Sequence, residues 1–262
     1  MTPPILRVVE REARVFSRLW RGSVFSSLLA PLLFLGSMGI GLGGLVDERN
    51  TDVAGVTYLE FVAPGLLVAS AMQATAGGSL WPVLGGFKWL RTYHGVVATP
   101  VPAGSLYGGL VTWLSIRTGI AAAAFLVVAG LLGAIPSWWG ALGLPIAMLC
   151  AAAFAAPLAA YTATQDTDVT FPLVFRMIVM PLFLFSGTFF PTSQLPDGLE
   201  PLIALSPLFH ASELARAATT GRWEWASLAH AVVLVGCVAA GAWWGRRTFT
   251  RRLSTSQRAA SG

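Results

Sequence analysis

The sequence predicts an all-α, polytopic membrane protein, and three observations carry that reading. Six stretches are long and apolar enough to cross a bilayer, at roughly 23–45, 58–80, 104–132, 138–162, 170–188 and 226–245. Hydrophobic residues make up 55% of the chain and charged ones 11%, where soluble domains run near a quarter charged. The basic residues also fall mostly on one side of the map these six stretches make. A hydrocarbon core roughly 30 Å thick takes about 20 helical residues, which each stretch supplies or approaches.

The spans leave short connections and tails, none long enough for a separate soluble domain. Residues 1–262 therefore read as a single transmembrane domain. No G-x-x-x-x-G-K-[ST] pattern occurs, so any ATP used must be bound by another chain. The net charge of +5 sits beside membrane spans, which points to topology and anionic lipid headgroups rather than to nucleic acid. Cys150 and Cys237 lie inside spans without metal-like spacing and read as small packing residues. The first apolar stretch runs on through Gly36–Gly44 as a full-length span, so it is expected to be retained rather than cleaved.

Orientation follows from the arginines. The N-terminal segment holds Arg7, Arg11, Arg14, Arg18 and Arg21, the link after the second span Lys88 and Arg91, and the tail Arg246, Arg247, Arg251, Arg252 and Arg258. Six crossings put these three segments on one side with twelve of the seventeen basic residues, so both termini are predicted to be cytoplasmic. The Thr162–Thr170 link shares that side yet carries Asp166 and Asp168; acidic residues weigh little in the rule. Steps of four, three, four and three between the first five arginines place them on one helix face, opposite Ile5, Val8, Phe16, Leu19 and Trp20. Residues 3–21 are thus expected to form an amphipathic helix at the headgroup level.

Within the spans, Gly39/Gly43, Gly104/Gly108 and Gly241/Gly245 are small pairs four apart that permit close helix contact. Pro31, Pro64, Pro145, Pro157 and Pro181 are expected to kink or break their helices. Arg117 is the costliest residue. Near the middle of the third span a charge costs ~2.5–3.5 kcal/mol on insertion scales, so it should face the interior, a wet cavity or a partner. Arg176 is placed within reach of the cytoplasmic surface by snorkelling.

Two segments resemble machinery. The cytoplasmic link 81–102 mixes Phe87, Trp89 and Tyr93 with Lys88, Arg91 and His94 and ends at Thr99-Pro100-Val101-Pro102. It predicts a short helix from about Phe87 to Ala98, stopped by Pro100, that presents side chains to a cytoplasmic partner. The outer link 188–225 is too apolar for a solvated loop and too broken by Pro191, Pro196, Pro201 and Pro207 for one span. Short re-entrant helices satisfy both facts.

The stretch Pro181–Pro191, including Phe185, Ser186 and Gly187, followed by Gln194-Leu-Pro196, Ser206-Pro207-Leu-Phe-His210 and Glu213-Leu-Ala-Arg216, resembles the signature of ABC type-2 export permeases. It is closest to the branch of nodulation lipo-oligosaccharide exporters and antibiotic-resistance permeases. Arg91-Thr-Tyr-His-Gly-Val-Val-Ala-Thr-Pro100 is similar to that branch's cytoplasmic coupling segment, with His94 where the branch commonly has an acidic residue. The resemblance covers essentially the whole chain. It implies a bacterial cytoplasmic-membrane protein that does no chemistry itself and holds no cofactor. It further implies a half-transporter working with a second permease copy or paralogue and with separate ATP-hydrolysing subunits that dock on Phe87, Lys88, Arg91, Tyr93 and His94. Its cargo would be an amphiphile such as a drug, a lipid or a lipid-linked glycan.

The residues bear on two other classes. An intramembrane lipid-modifying enzyme needs ionisable residues gathered at one depth, whereas His94, His210 and His230 fall in three separate regions. A proton-coupled secondary transporter needs carboxylates within spans, and the interior offers Arg117 with no clear acidic partner.

Overall fold

The computed structural model describes residues 3–37, 56–191 and 203–261, and no β-strand is present among them. In order, the helices are α1 (Pro4–Phe34), α2 (Tyr58–Ser79), α3 (Trp81–Phe87), α4 (Thr92–Val97), α5 (Ala103–Leu131), α6 (Gly143–Thr162), α7 (Phe171–Phe185), α8 (Pro207–Thr220) and α9 (Trp225–Ser261). Among the described residues, four helical stretches are long and apolar enough to cross a membrane: Tyr58–Phe87, Ala103–Leu131, Trp138–Thr162 and Trp225–Thr255. The expected first span, 23–45, runs on beyond Ser37 into residues outside those described, where Gly39/Gly43 also lie. The expected fifth span is a 15-residue helix, about 22 Å long at 1.5 Å per residue, so this apolar element alone falls short of the hydrocarbon core.

Local chemistry explains most of these boundaries. Thr57 caps α2 by a capping box: its hydroxyl accepts from the Glu60 N–H while the Glu60 carboxylate accepts from the Thr57 N–H. Pro102 starts α5 and Pro207 occupies the first turn of α8, positions whose backbone N–H has no helical partner. Gly221, at φ +75°, ends α8 in the left-handed region. Pro64 and Pro157 are accommodated inside α2 and α6 without ending them, and Pro31 inside α1. One expectation is corrected here. The link does not form a single helix from Phe87 to Ala98. Helix α3 stops at Phe87, the Leu90 N–H reaches back to the Gly85 carbonyl at 2.8 Å, and Arg91 takes a left-handed φ of 49°. That turn separates α3 from α4, which begins only at Thr92.

The centre of the body is α6, whose buried residues are mostly small, with Ala147, Ala151, Ala153, Ala155, Ala156, Ala159 and Ala160 beside the larger Ile146, Cys150 and Phe154. Small side chains let α2, α5 and α9 approach its backbone closely. Gly241 of α9 lies on Ala156 and Pro157, and Gly245 lies on the Tyr107 ring of α5, so the Gly241/Gly245 pair is a contact between helices. Gly108 meets Ile5 of α1, while the neighbouring Gly109 is covered by Val8. Cys150 is fully buried and Cys237 half-buried, and both are free thiols.

The Tyr107 hydroxyl is fixed within 2.9 Å of two carbonyls, Ala156 and Gly241, so its ring has no room to yield. Gly245→Ala should therefore destabilise the fold by ~1–3 kcal/mol through overpacking, despite the helix-propensity gain of alanine. Gly236→Ala on the same helix, where an added Cβ meets nothing within 4 Å, should be neutral or stabilising. Thermal unfolding of both variants in detergent checks the pair.

Candidate functional site

One end of the helical body gathers parts of the chain that are far apart in sequence. Val8, Phe87, Tyr93, Val101, Tyr107, Phe249 and Leu253 form one buried cluster, so the N-terminal helix, the 81–102 link and the C-terminal helix meet there. Phe87 and Tyr93 are stacked edge to face at 4.9 Å, and Phe249 lies 4.9 Å from Phe87 and 5.1 Å from Tyr107. Phe87 and Tyr93, expected to face a partner, are thus the floor of the link: both are almost fully buried. His94 is half-buried with its Nδ1 enclosed and unpartnered.

What the link offers outward is the turn between α3 and α4. Lys88, Trp89, Leu90 and Arg91 are exposed, with Trp89 57% and Leu90 74% accessible. Lys88 Nζ donates to the Asp166 carbonyl at 2.8 Å, which ties this turn to the link after α6. The basic end is completed by Arg252, whose guanidinium covers the Phe87 ring at 4.5 Å and donates to the carbonyls that end α6.

Burial also moves protons at this end. It pushes the Tyr93 hydroxyl well above its ordinary range, the negative charge of Glu12 adding to that and Arg11 opposing it. The Glu12 carboxyl is itself raised by burial, with Arg11 at 2.7 Å opposing.

The opposite end is organised by Arg216 of α8. Its guanidinium pairs with Glu213, donates to the Gly187 carbonyl at 2.8 Å and lies 4.0 Å over the Phe61 ring of α2. Gly187 has φ +75°, and Ser186 meets Ser206 hydroxyl to hydroxyl at 3.1 Å in a buried contact. The chain therefore leaves α7 at Ser186 and returns to α8 at the same point. Gly65 of α2 is needed beneath this turn, because a Cβ there would stand 2.8 Å from the Thr188 carbonyl oxygen. Phe185 is exposed and Pro191 half-buried, Pro207 starts α8, and Pro196 lies outside the described residues. His210 meets His230 of α9, Nδ1 to Nδ1 at 2.7 Å, and its Nε2 sits 2.8 Å from the Ala204 carbonyl. A carbonyl only accepts, so the His210 Nε2 carries a proton; with that ring neutral, His230 Nδ1–H is the donor between the rings.

Arg117 stands apart from both ends. It is half-buried mid-way along α5 with its guanidinium 5.8 Å from the Phe16 ring of α1, which also stacks on Trp113.

A family model described as ABC-2 type transporter matches residues 5–219. The chain belongs to the ABC-2 type transporter family. Nodulation protein J of Rhizobium leguminosarum bv. viciae is 28% identical over 218 residues, covering 83% of this chain and 82% of that protein. Nodulation protein J of Rhizobium leguminosarum bv. trifolii is 30% identical over 202 residues, 75% of each chain. The inner membrane transport permease YadH of Escherichia coli strain K12 is 25% identical over 206 residues, 76% of each chain. As an ABC-2 permease, the chain is a transport protein of the membrane. The family match covers the 81–102 link and the turn held by Arg216.

The sequence singles out the link and the Phe185–His210 stretch, of which 192–202 lie outside the described residues; it does not reveal Arg252 as more than a topological charge or His230 as the partner of His210. The spacing Phe249/Arg252/Leu253 held a signal for the first: an apolar face continuing one full turn past the last span.

Two measurements follow from the geometry. Glu213 is about one-third exposed and Arg216 far less, so Arg216→Leu strands a partly buried carboxylate and should cost ~3 kcal/mol, the low end for breaking such a pair. In thermal unfolding, adding Glu213→Gln should recover part of that loss. Glu12 supplies the second. Because its folded-state pKa is raised, its stability contribution is full below the ordinary carboxylate range and declines as pH rises through it. Melting temperatures at pH 4 and pH 7 should show Glu12→Gln gaining on the parent only at the higher pH.

Proposed function

We propose that this chain is the membrane-spanning permease subunit of an ATP-driven exporter that moves an amphiphilic substrate across the bacterial cytoplasmic membrane. In this reading the chain crosses six times with both termini cytoplasmic, and the 188–225 segment is re-entrant on the outer face. Two permease copies, or this chain and a paralogue, form the pathway among membrane lipids. The chain carries no P-loop, so ATP is hydrolysed on a separate docked subunit. The relatives named nodulation protein J and transport permease support transport as the task.

The observation that carries the coupling part is the 81–102 link itself. It presents an exposed Trp89–Leu90 tip on a rigid aromatic floor, at the end of the body that gathers the basic N- and C-terminal segments. An exposed aromatic–aliphatic pair flanked by Lys88 and Arg91 has the composition of an interface anchor. The floor residues Phe87, Tyr93 and Phe249 hold that anchor so that displacement of the tip is passed inward. His94 stands on α4 beside the floor. In the same reading Arg117 serves within the membrane, facing the pathway or the second permease copy.

Replacing Trp89 and Leu90 together by Ala should weaken association with the ATP-hydrolysing subunit by ~30-fold, the loss of ~2 kcal/mol typical of an anchor. Copurification from membranes measures this, with folding checked by thermal unfolding. Undiminished recovery of the ATPase would remove the tip from the interface, and recovery of no ATPase with the parent chain would remove the exporter reading.

A further inference from the structure

Helix α6 ends at Thr162 in a turn that its own backbone partly closes, the Ala163, Thr164 and Gln165 N–H groups reaching back to the carbonyls of Ala159, Tyr161 and Thr162. Arg252, ninety residues later on α9, adds donors from outside that turn. Its Nη1 lies 3.2 Å from the Thr162 oxygen, 3.1 Å from that of Ala163 and 2.6 Å from that of Gln165, shared among the three. Its Nη2 is 3.5 Å from an Asp166 carboxylate oxygen, but that carboxylate is 97% exposed, so the ion pair contributes little. The face of the same guanidinium covers Phe87, the last residue of α3. From the other side Lys88 holds the Asp166 carbonyl. The turn 162–166 is therefore gripped by α9 through Arg252 and by the coupling tip through Lys88, and one planar cation touches α3, the end of α6 and α9 at once.

We propose that Arg252 is the positioning residue through which displacement of the Lys88–Arg91 tip is delivered to α6 and α9 together. This rests on the coupled-permease reading above. The tip is borne on Phe87, and Phe87 meets α9 through the Arg252 plane and the Phe249 ring. A guanidinium suits the task because it is flat, stacks on an aromatic face and presents several donors in a fixed fork, whereas a lysine ammonium is a point donor that does neither. Without Arg252, the carbonyls ending α6 lose this donor, and the tip is left with the apolar contacts of Phe87, among them the Tyr93 and Phe249 rings, and with the Lys88 bond. Nucleotide-driven movement would then shift the tip without carrying the helices.

The test uses the full chain with its ATP-hydrolysing subunit in lipid nanodiscs, Cys150 and Cys237 replaced by Ala. Spin labels go on the exposed positions Thr99→Cys and Ser254→Cys, and distances are read by pulsed electron resonance without nucleotide and after ADP–vanadate trapping. In the parent the separation should be narrow and the same in both states. In Arg252→Gln and Arg252→Lys it should match the parent without nucleotide and lengthen or broaden by about 5 Å, the scale of a one-turn helix slip, only when trapped. Variant distances that follow the parent in both states would overturn the proposal. So would a change equal in both states, which marks a merely structural role, and so would full rescue by Lys. Loss of ATPase copurification in the variants would also overturn it, since Arg252 lies off the exposed tip. A second pair, Thr99→Cys with Leu228→Cys at the far end, reports on the underlying reading. If trapping leaves that distance unchanged in the parent, the coupled-permease reading fails, and the inference falls with it.

Discussion

A backbone carbonyl or N–H left unpaired in a low-dielectric body costs several kcal/mol, and where helices end no neighbouring turn supplies the partner. This constraint organises both ends of the molecule. At one end Arg252 and Lys88 donate to the carbonyls freed after α6; at the other Arg216 donates to the carbonyl of Gly187, where α7 has just stopped. In the middle the Tyr107 hydroxyl reaches carbonyls of both α6 and α9, those of Ala156 and Gly241. Among the described residues, the polar side chains that reach across the body do so more often to a backbone carbonyl than to one another.

The same constraint explains why arginines with stacked faces recur. Arg216 lies over Phe61 and Arg252 over Phe87, so each cation has donors on carbonyls and its plane on an aromatic ring. A weakly hydrated planar ion loses less on leaving water than an ammonium, and the ring quadrupole offsets part of what remains. Arg117 has the ring but no such set of carbonyls: Phe16 stands 5.8 Å away, at the outer limit of a cation–π contact. It is the one of these three arginines that the fold does not use as a fastener, which fits a role toward something outside the subunit.

Much of this was legible in the sequence because periodicity and composition are local. The second, third and fourth spans were placed to within a residue or so of α2, α5 and the Trp138–Thr162 stretch, since apolar runs bounded by Thr57, Pro102 and Ser137 mark themselves. The Gly241/Gly245 pair announced a close helix contact and makes one. What was not legible depends on chain segments brought together from afar. Arg252 reads as one more tail arginine until the end of α6, ninety residues earlier, is set beside it. The break at Lys88–Arg91 was hidden because the aromatic and basic residues around it fit a helix; the Leu90-to-Gly85 bond and the left-handed Arg91 decide otherwise. Phe87 and Tyr93 looked like partner contacts for the same reason, since sequence shows that a residue is aromatic but not which way its ring turns.

The alanine face of α6 has a mechanical consequence. Helices that meet through Ala and Gly approach closely and present few long side chains that can change rotamer, so their contacts shift as units or not at all. Ala156 and Ala159 of that face lie beside Gly241 of α9 and under the Phe249 cluster, and Ala153 lies in the cluster that includes Leu208 and Ala215 of α8. Under the proposed coupling, displacement imposed where α6 ends would be carried along α6 as a rod to the level of α8, whose Arg216 holds the turn after α7. The two arginine fasteners stand at opposite ends of one alanine-rich column, and under the proposed coupling that column would give a movement at the basic end a path to the turn after α7 without any rearrangement of the core.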